Sequence, residues 1–261
     1  MKIGLALSGG GALGVAHIGV LEELEKAGIK IGCVCGVSSG AIMGLAYASG
    51  GLKSLRGFYD KIIVSDFARP EKFVLAGGPA AAFKFTASVL DEITAGKNLE
   101  DLNIPFFCCA TNVATGEKDI LKSGPAVGAV MASCAYPAVF DQQEFAGNWY
   151  IDGGITRNLP AEEARAMGAE FIVGSSIYGV DEILPAKAAR MNKIELVFRT
   201  LNIFEKELSR CQEKQCDFCF KPGAQNMSWF DFFKMDEILE LGRSNAAKQM
   251  PKLLEIINKH N

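Results

Sequence analysis

The chain has 261 residues, 49% of them hydrophobic and 22% charged, with a formal net charge of -3. That length and apolar content allow one large α/β domain with a substantial core, and no linker, repeat or low-complexity tract divides residues 1–261, so a single domain is expected. The acidic balance and the lack of a dense Lys/Arg tract offer no field for a polyphosphate backbone, which sets nucleic acid aside as a partner.

Residues 2–8 read as a short strand, interrupted by glycine too early to be a secretory apolar region. No apolar run approaches the ~18 residues that span a bilayer. The expected location is the cytoplasm, with any membrane contact peripheral, at the inner surface.

Ser8-Gly9-Gly10-Gly11-Ala12-Leu13-Gly14 follows the strand, and residues 15–27 carry helical spacing, with Ile18, Leu21 and Leu24 on one side and Gly28 as the stop. Gly9-x-Gly11-x-x-Gly14 in that setting meets the dinucleotide fingerprint, which also needs an acidic residue about 20 positions on to hold a ribose. None lies between Glu25 and Asp60, and no Gly-Lys-Ser/Thr follows for a P-loop. Two readings remain: a row of N–H donors at a helix start, aimed at an anion, or a tight turn that packs helix on strand.

A second strand, 31–35, passes into a helix, 41–48, through Gly36-Val37-Ser38-Ser39-Gly40. Gly-x-Ser-x-Gly at a sharp strand-to-helix turn exposes the central serine beside free helix N–H groups. Ser38 is the candidate nucleophile, and Gly36 and Gly40 are the neighbours whose missing side chains permit the turn. The plain alternative is a serine N-cap.

Gly50-Gly51 breaks the next helical pattern, which resumes over 52–63. Residues 65–100 are less regular, and Phe67, Phe73, Phe83 and Phe85 either line an acyl pocket or belong to ordinary core, the latter being expected. Runs at 104–113 and 118–122 form a hairpin, and 124–134 is a helix stopped ahead of Pro137. Residues 148–151 make a strand that delivers Asp152-Gly153-Gly154. A carboxylate at a strand end of an α/β sheet lies where ligands and catalysis gather, and the two glycines allow close approach; an Asp-Gly turn is the other reading. Downstream come a helix at 161–167, a buried strand at 170–178, one long helix at 187–210 and an aromatic cluster at 229–233. A final helix spans 236–249, with Pro251 expected to break it or start a new one.

Of the eight cysteines, Cys33, Cys35, Cys108 and Cys109 sit in apolar runs and read as small buried hydrophobes in a reducing compartment, without disulfides. Cys211, Cys216 and Cys219 form C-x4-C-x2-C, yet no fourth Cys or His follows before His260, so no metal is assigned; no calcium loop is present either.

A serine hydrolase usually takes its proton acceptor from histidine, in the order Ser, acid, His for an α/β-hydrolase. His17 precedes the serine, inside the first helix, and reads as structural; His260 is the penultimate residue, on an end expected to fray. A carboxylate is then left to accept the Ser38 proton directly, and Asp152 is the candidate. Desolvation would raise its basicity, and the glycine-loop N–H groups would hold the tetrahedral oxygen.

Together these motifs resemble the patatin-like phospholipases of the small bacterial type. Gly9-Gly10-Gly11-Ala12-Leu13-Gly14 is similar to the family's oxyanion loop, Gly36-Val37-Ser38-Ser39-Gly40 to its nucleophile motif, and Asp152-Gly153-Gly154 to the motif of its catalytic aspartate. Likeness continues through His17 to Leu21, Ala110-Thr111-Asn112, Ala132 to Pro137 and Phe230-Asp231-Phe232, in order over nearly the whole chain. The resemblance implies a three-layer α/β/α sandwich with a central, mostly parallel sheet. It also implies a Ser38–Asp152 dyad and hydrolysis of lipid or fatty-acyl esters through an acyl-enzyme on Ser38, with no cofactor. Leu13 departs from it, standing where the family usually has Arg or Lys. Two alternatives stay open: a catalytically silent lipid- or acyl-binding regulatory protein, and an acyltransferase that uses the same acyl-enzyme.

Overall fold

Alternation along the strands sorts apolar side chains onto two faces of one sheet. The computed structural model describes residues 1–177, 185–222 and 227–260. Its strands are β1 (Ile3–Leu7), β2 (Ile31–Gly36), β3 (Phe106–Asn112), β4 (Lys118–Leu121), β5 (Gln143–Phe145), β6 (Asn148–Ile151), β7 (Phe171–Ser175) and β8 (Phe218–Phe220). They follow the order β5-β6-β3-β2-β1-β7-β8, with β4 added to β3; the pairs from β3 through β8 are parallel and those of β4, β5 and β6 antiparallel. Leu5, Leu7, Val34, Cys108, Ala110 and Val173 point to one side; Ala6, Cys33, Cys35, Phe107, Cys109 and Ile172 point to the other. A sheet buried on both faces needs helices on both.

The helices are α1 (Ala16–Lys26), α2 (Ser39–Ile63), α3 (Pro70–Phe73), α4 (Gly78–Thr94), α5 (Ala126–Ser133), α6 (Ala161–Ala166), α7 (Pro185–Ala188), α8 (Lys193–Glu213) and α9 (Met235–His260). Helices α1, α2, α4, α5 and α9 contribute to the first apolar layer, whereas Ala161 and Ala164 of α6 close the second. The result is the three-layer α/β/α sandwich around a mostly parallel sheet.

Several boundaries differ from the expectations. The Gly50-Gly51 break is a kink inside α2, with Gly51 at φ 67°, and not the end of a helix. Pro251 lies inside α9 and does not interrupt it: the buried Met250 and Leu253 hold the helix against the core across the missing N–H. The long helix at 187–210 is two, because Asn192 and Glu195 form a reciprocal capping box that starts α8 afresh. Strand β7 ends at Ser175, and Tyr178 lies outside the described residues. The irregular stretch at 65–100 contains the 17-residue α4, and β5 and β8, at three residues each, are too short to leave a periodic trace. Phe67, Phe73, Phe83 and Phe85 are half-buried, and Phe83 and Phe85 pack against the core from its edge. Phe67 and Phe85 line a surface cleft of about 700 Å³ that Ser38 and Asp152 do not touch, and Phe83 stacks on Phe140 at 4.4 Å.

Helices α1 and α9 meet through glycine. A Cβ on Gly242 would collide with the Ala16 carbonyl, and one on Gly19 with the Arg243 amide and, at 2.7 Å, with Leu239 O. Arg243 spans the pair, placing Nε and Nη2 each 2.9 Å from Glu22 Oε2. Gly242→Val overpacks this contact, so unfolding free energy falls by about 1–3 kcal/mol. The measurement is the urea midpoint at constant slope; an unmoved midpoint contradicts the contact.

Candidate active site

The meeting of Ser38 and Asp152 is a matter of strand register on β3. Strand β2 pairs with it at Phe106 to Cys108 and ends with Gly36 opposite Cys108. Strand β4 occupies the other edge from Cys108 to Thr111. The edge that β2 vacates is taken up by antiparallel β6, with Ile151 opposite Thr111. Two chains thus approach head to head along one edge of β3, and the residues that follow each strand, Val37-Ser38 and Asp152-Gly153, converge. Gly153 marks the closeness: a Cβ there would collide with Cys109 O and come within 3.1 Å of the Val37 side chain.

Ser38 is partly exposed and holds φ 51°, ψ -125°, a left-handed conformation that is costly for a residue with a Cβ. What maintains it is local. Its N–H donates to Ser133 Oγ at 2.9 Å, Ser133 Oγ donates to Cys109 O at 2.7 Å, and α2 begins at the next residue. Gly36 and Gly40 lie on either side as expected. A Cβ on Gly36 would collide with Gly40 O, and one on Gly40 would stand 2.5 Å from both Leu7 O and Ser8 O. The helix start leaves its positive dipole end beside the Ser38 hydroxyl.

Asp152 is 1% exposed. Its backbone is anchored from both sides: its N–H donates to Ala135 O at 2.9 Å, and Thr111 Oγ1 donates to its carbonyl at 2.9 Å. Oδ1 accepts the Gly154 N–H at 2.8 Å. Oδ2 is buried without a completed hydrogen bond among the described residues. Burial pushes the carboxyl up from 3.8 to about 7, against the Ser38 hydroxyl and then the Gly154 N–H, both of which favour the ionised form. The Ser38 hydroxyl thus bears on this carboxylate while stopping short of full hydrogen-bond geometry.

The glycine loop lies against the elbow. A Cβ on Gly9 would stand 3.2 Å from Ser38 Cβ, and one on Gly14 would be 2.5 Å from Ser39 Cβ. Within the loop the donors divide: Gly9 N–H is occupied by Asn158 O at 3.2 Å, and Ala12 N–H by Trp229 O at 2.9 Å. The N–H groups of Gly10 and Gly11 have no acceptor among the described residues. Gly11, at φ 58°, also admits the Trp229 carbonyl, 2.5 Å from where its Cβ would be. Leu13 is 2% exposed and belongs to the apolar core, so the position offers the loop packing and no charge.

His17 is fully buried. Its Nε2 donates to Ser8 O at 2.9 Å, which leaves Nδ1 to accept from Ser175 Oγ at 2.8 Å. Burial lowers its pKa to about 4, so the ring is a neutral brace under the glycine loop. His260 bonds its own helix at Ile256 O and stacks edge-on against Phe171. Cys216 and Cys219 pack beside Gly174 while Cys211 is exposed, and among the described residues no group of His, Cys, Asp or Glu has a metal-holding arrangement.

Sequence reasoning missed a second set of residues, which fixes the chain after Asp152. Asn158 is held to α8: its Nδ2 donates to Ser209 Oγ at 2.8 Å, and Gln212 Oε1 accepts from the N–H groups of Asn158, at 3.0 Å, and Leu159, at 2.7 Å. Glu205, also buried, sits one turn earlier, 3.2 Å from where a Gly154 Cβ would be. Tyr136 joins them, its hydroxyl pushed up by burial and then by the nearby Glu205 and Asp152 carboxylates. Arg157 Nε reaches Glu163 Oε1 at 2.9 Å, and Lys118 pairs with the same oxygen.

Fold and site define an α/β protein with a serine elbow, a buried aspartate and a glycine loop. A family model described as patatin-like phospholipase matches residues 5–165, and the chain belongs to that family. It is 27% identical to a lysophospholipase, NTE1, of Scheffersomyces stipitis and 28% identical to the patatin-like phospholipase domain-containing protein ZK370.4 of Caenorhabditis elegans, over 94% and 97% of this chain. The chain spans only 18% and 21% of the length of those relatives. Among solved structures, VipD from Legionella pneumophila shares the fold, with a TM-score of 0.54 at 15% identity over 96% of this chain and 67% of that one. No helix among the described residues is long and apolar enough to cross a membrane.

The raised Asp152 carboxyl has a stability consequence. Between pH 3.8 and about 7 the folded chain binds a proton that the unfolded chain has released, so stability falls as pH rises through that window. Asp152→Asn removes this loss. Relative to the parent it should be more stable near pH 8, by on the order of 1–4 kcal/mol, and the gap should close toward pH 4. Urea unfolding of both proteins across that range checks it; a gap that does not depend on pH contradicts the burial.

Proposed function

We propose that the chain is a serine lipid acyl hydrolase that works through a Ser38–Asp152 dyad and an acyl-enzyme. The observation that carries this reading is the convergence of a strained, partly exposed serine with a desolvated carboxylate on one edge of β3, beside a glycine loop with two uncommitted N–H groups. Membership of the patatin-like phospholipase family and the likeness to lysophospholipases supply the substrate class, a lipid or fatty-acyl ester.

In this mechanism Asp152 accepts the Ser38 proton as Oγ attacks the ester carbonyl. The N–H groups of Gly10 and Gly11 hold the oxygen of the tetrahedral intermediate, and the dipole of α2 favours the same negative charge. The intermediate collapses with the leaving alcohol taking the proton from Asp152. Water then gives a proton to Asp152 and attacks the acyl-Ser38 ester, and Ser38 leaves with that proton restored. One buried carboxylate does both transfers, which requires a pKa close to working pH; burial supplies it.

Removing a general base commonly costs ~10²- to 10⁴-fold, or about 3–5 kcal/mol of barrier, and Asp152→Asn should lose that much turnover of p-nitrophenyl butyrate. Ser38→Ala should lose at least as much and should no longer form a mass adduct with a fluorophosphonate. The parent kcat/KM should rise with pH and level off above about 7, the limb set by deprotonation of Asp152. Full turnover by Ser38→Ala defeats the assignment, and a parent without a fluorophosphonate adduct points to a silent acyl binder.

A further inference from the structure

Helix α8 is polar on its inward side and apolar on its outward side. Glu205, Ser209 and Gln212 are buried against the loop that follows Asp152. Leu196, Val197, Thr200, Ile203 and Phe204 recur at the i, i+1, i+4, i+7, i+8 spacing of one helical face, and the four apolar members are 47% to 69% exposed. A surface helix that ends in water carries its polar residues there. Four large apolar side chains over about two turns form a patch and not isolated exposure.

The inward side of α8 reaches the candidate active site through Phe198, which shares the face of the buried Glu205 seven residues on. Phe230, itself 48% exposed, meets Phe198 of α8 edge-on at 6.5 Å. Phe198 also lies 6.0 Å from the Trp229 ring, Trp229 lies 5.1 Å from Tyr136, and Tyr136 feels the Asp152 carboxylate. The Trp229 carbonyl accepts the Ala12 N–H of the glycine loop. Helix α8 therefore sits beside the elements that carry the site, with its apolar face turned outward from them.

Charge selects the occupant. Arg199 and Lys206, seven residues apart, lie along one edge of the apolar strip, and Lys193 precedes its first turn; none has an acidic partner among the described residues. The exposed acids nearby are committed, Glu195 to the capping box with Asn192 and Glu207 to Arg210 at 2.9 Å. The chain as a whole is acidic, at -3, so this cationic border is local. An apolar strip edged by unpaired cations fits acyl chains beneath anionic head groups.

Resting on the lipid acyl hydrolase reading, we infer that the outward face of α8 docks the chain onto an anionic lipid surface. The same helix anchors the chain that follows Asp152. Helix α8 serves both tasks, since the side opposite the docking face holds the loop that carries Asp152.

The test is sedimentation with vesicles of phosphatidylcholine alone and of phosphatidylcholine mixed equally with phosphatidylglycerol. The parent should bind the mixed vesicles more strongly, and Val197→Asp/Phe204→Asp should bind them at least about tenfold less. Circular dichroism should be unchanged, and turnover of soluble p-nitrophenyl butyrate should stay within about twofold. Arg199→Glu/Lys206→Glu should lose the preference for mixed vesicles, as should the parent in high salt. Undiminished binding by Val197→Asp/Phe204→Asp, or a parent that binds neither vesicle, overturns the proposal. So does a parent dimer that Val197→Asp/Phe204→Asp dissociates, with no vesicle binding by either. A parent that binds vesicles through this face and yet hydrolyses no ester keeps the docking surface and defeats the hydrolase reading.

Discussion

The structure depends on keeping one carboxyl group out of water next to one hydroxyl. An unpaired carboxylate is costly to bury, and Asp152 meets that cost with the Gly154 N–H and the influence of Ser38. Its backbone is fastened at Ala135 and Thr111, its successor Gly153 is pressed onto Cys109, and the chain beyond is tied to α8 through Asn158 and Gln212. Each tie removes a way for the carboxyl to swing toward solvent and relax to ordinary acidity. His17, neutral and committed to Ser8 and Ser175, does not compete with it as a base.

The parts that were legible in the sequence are those where a local steric demand selects the residue. The elbow at Gly36 to Gly40 and the Asp152-Gly153-Gly154 turn are of this kind, because a Cβ at Gly36, Gly40 or Gly153 would strike backbone. The reading of His17 as structural rests instead on its place ahead of the serine, inside the first helix. The handover along the β3 edge was not legible, since nothing within β2 or β6 says that they share it. Strands β5 and β8 were missed because three residues hold no period. The start of α8 did have a signal, Asn192-x-x-Glu195, which is enough to separate it from the preceding turn.

Helix α8 shows a different limit. Its spacing of polar and apolar residues is ordinary, and a single sequence does not state which side faces the protein. The polar positions Glu205, Ser209 and Gln212 look like a wet face and are buried, whereas Val197 and Phe204 look like core and are in the open. Polarity turned inward is affordable only because Ser209 and Gln212 find backbone and side-chain partners around Asn158. The same inversion explains why a helix so far along the chain from Asp152 takes part in holding it.

The seating of the glycine loop has a consequence for how the molecule is assembled. Ala12 bonds to Trp229, and α1, which carries His17, is braced by α9 through contacts such as Glu22 to Arg243, 221 positions apart. Contacts of such long range form late, after the chain between them has been ordered. A nascent polypeptide that has emerged only as far as β6 already holds both Ser38 and Asp152, yet its first loop lacks the carbonyl and the helix that set its shape. The final shape of the glycine loop is thus a property of the nearly completed chain.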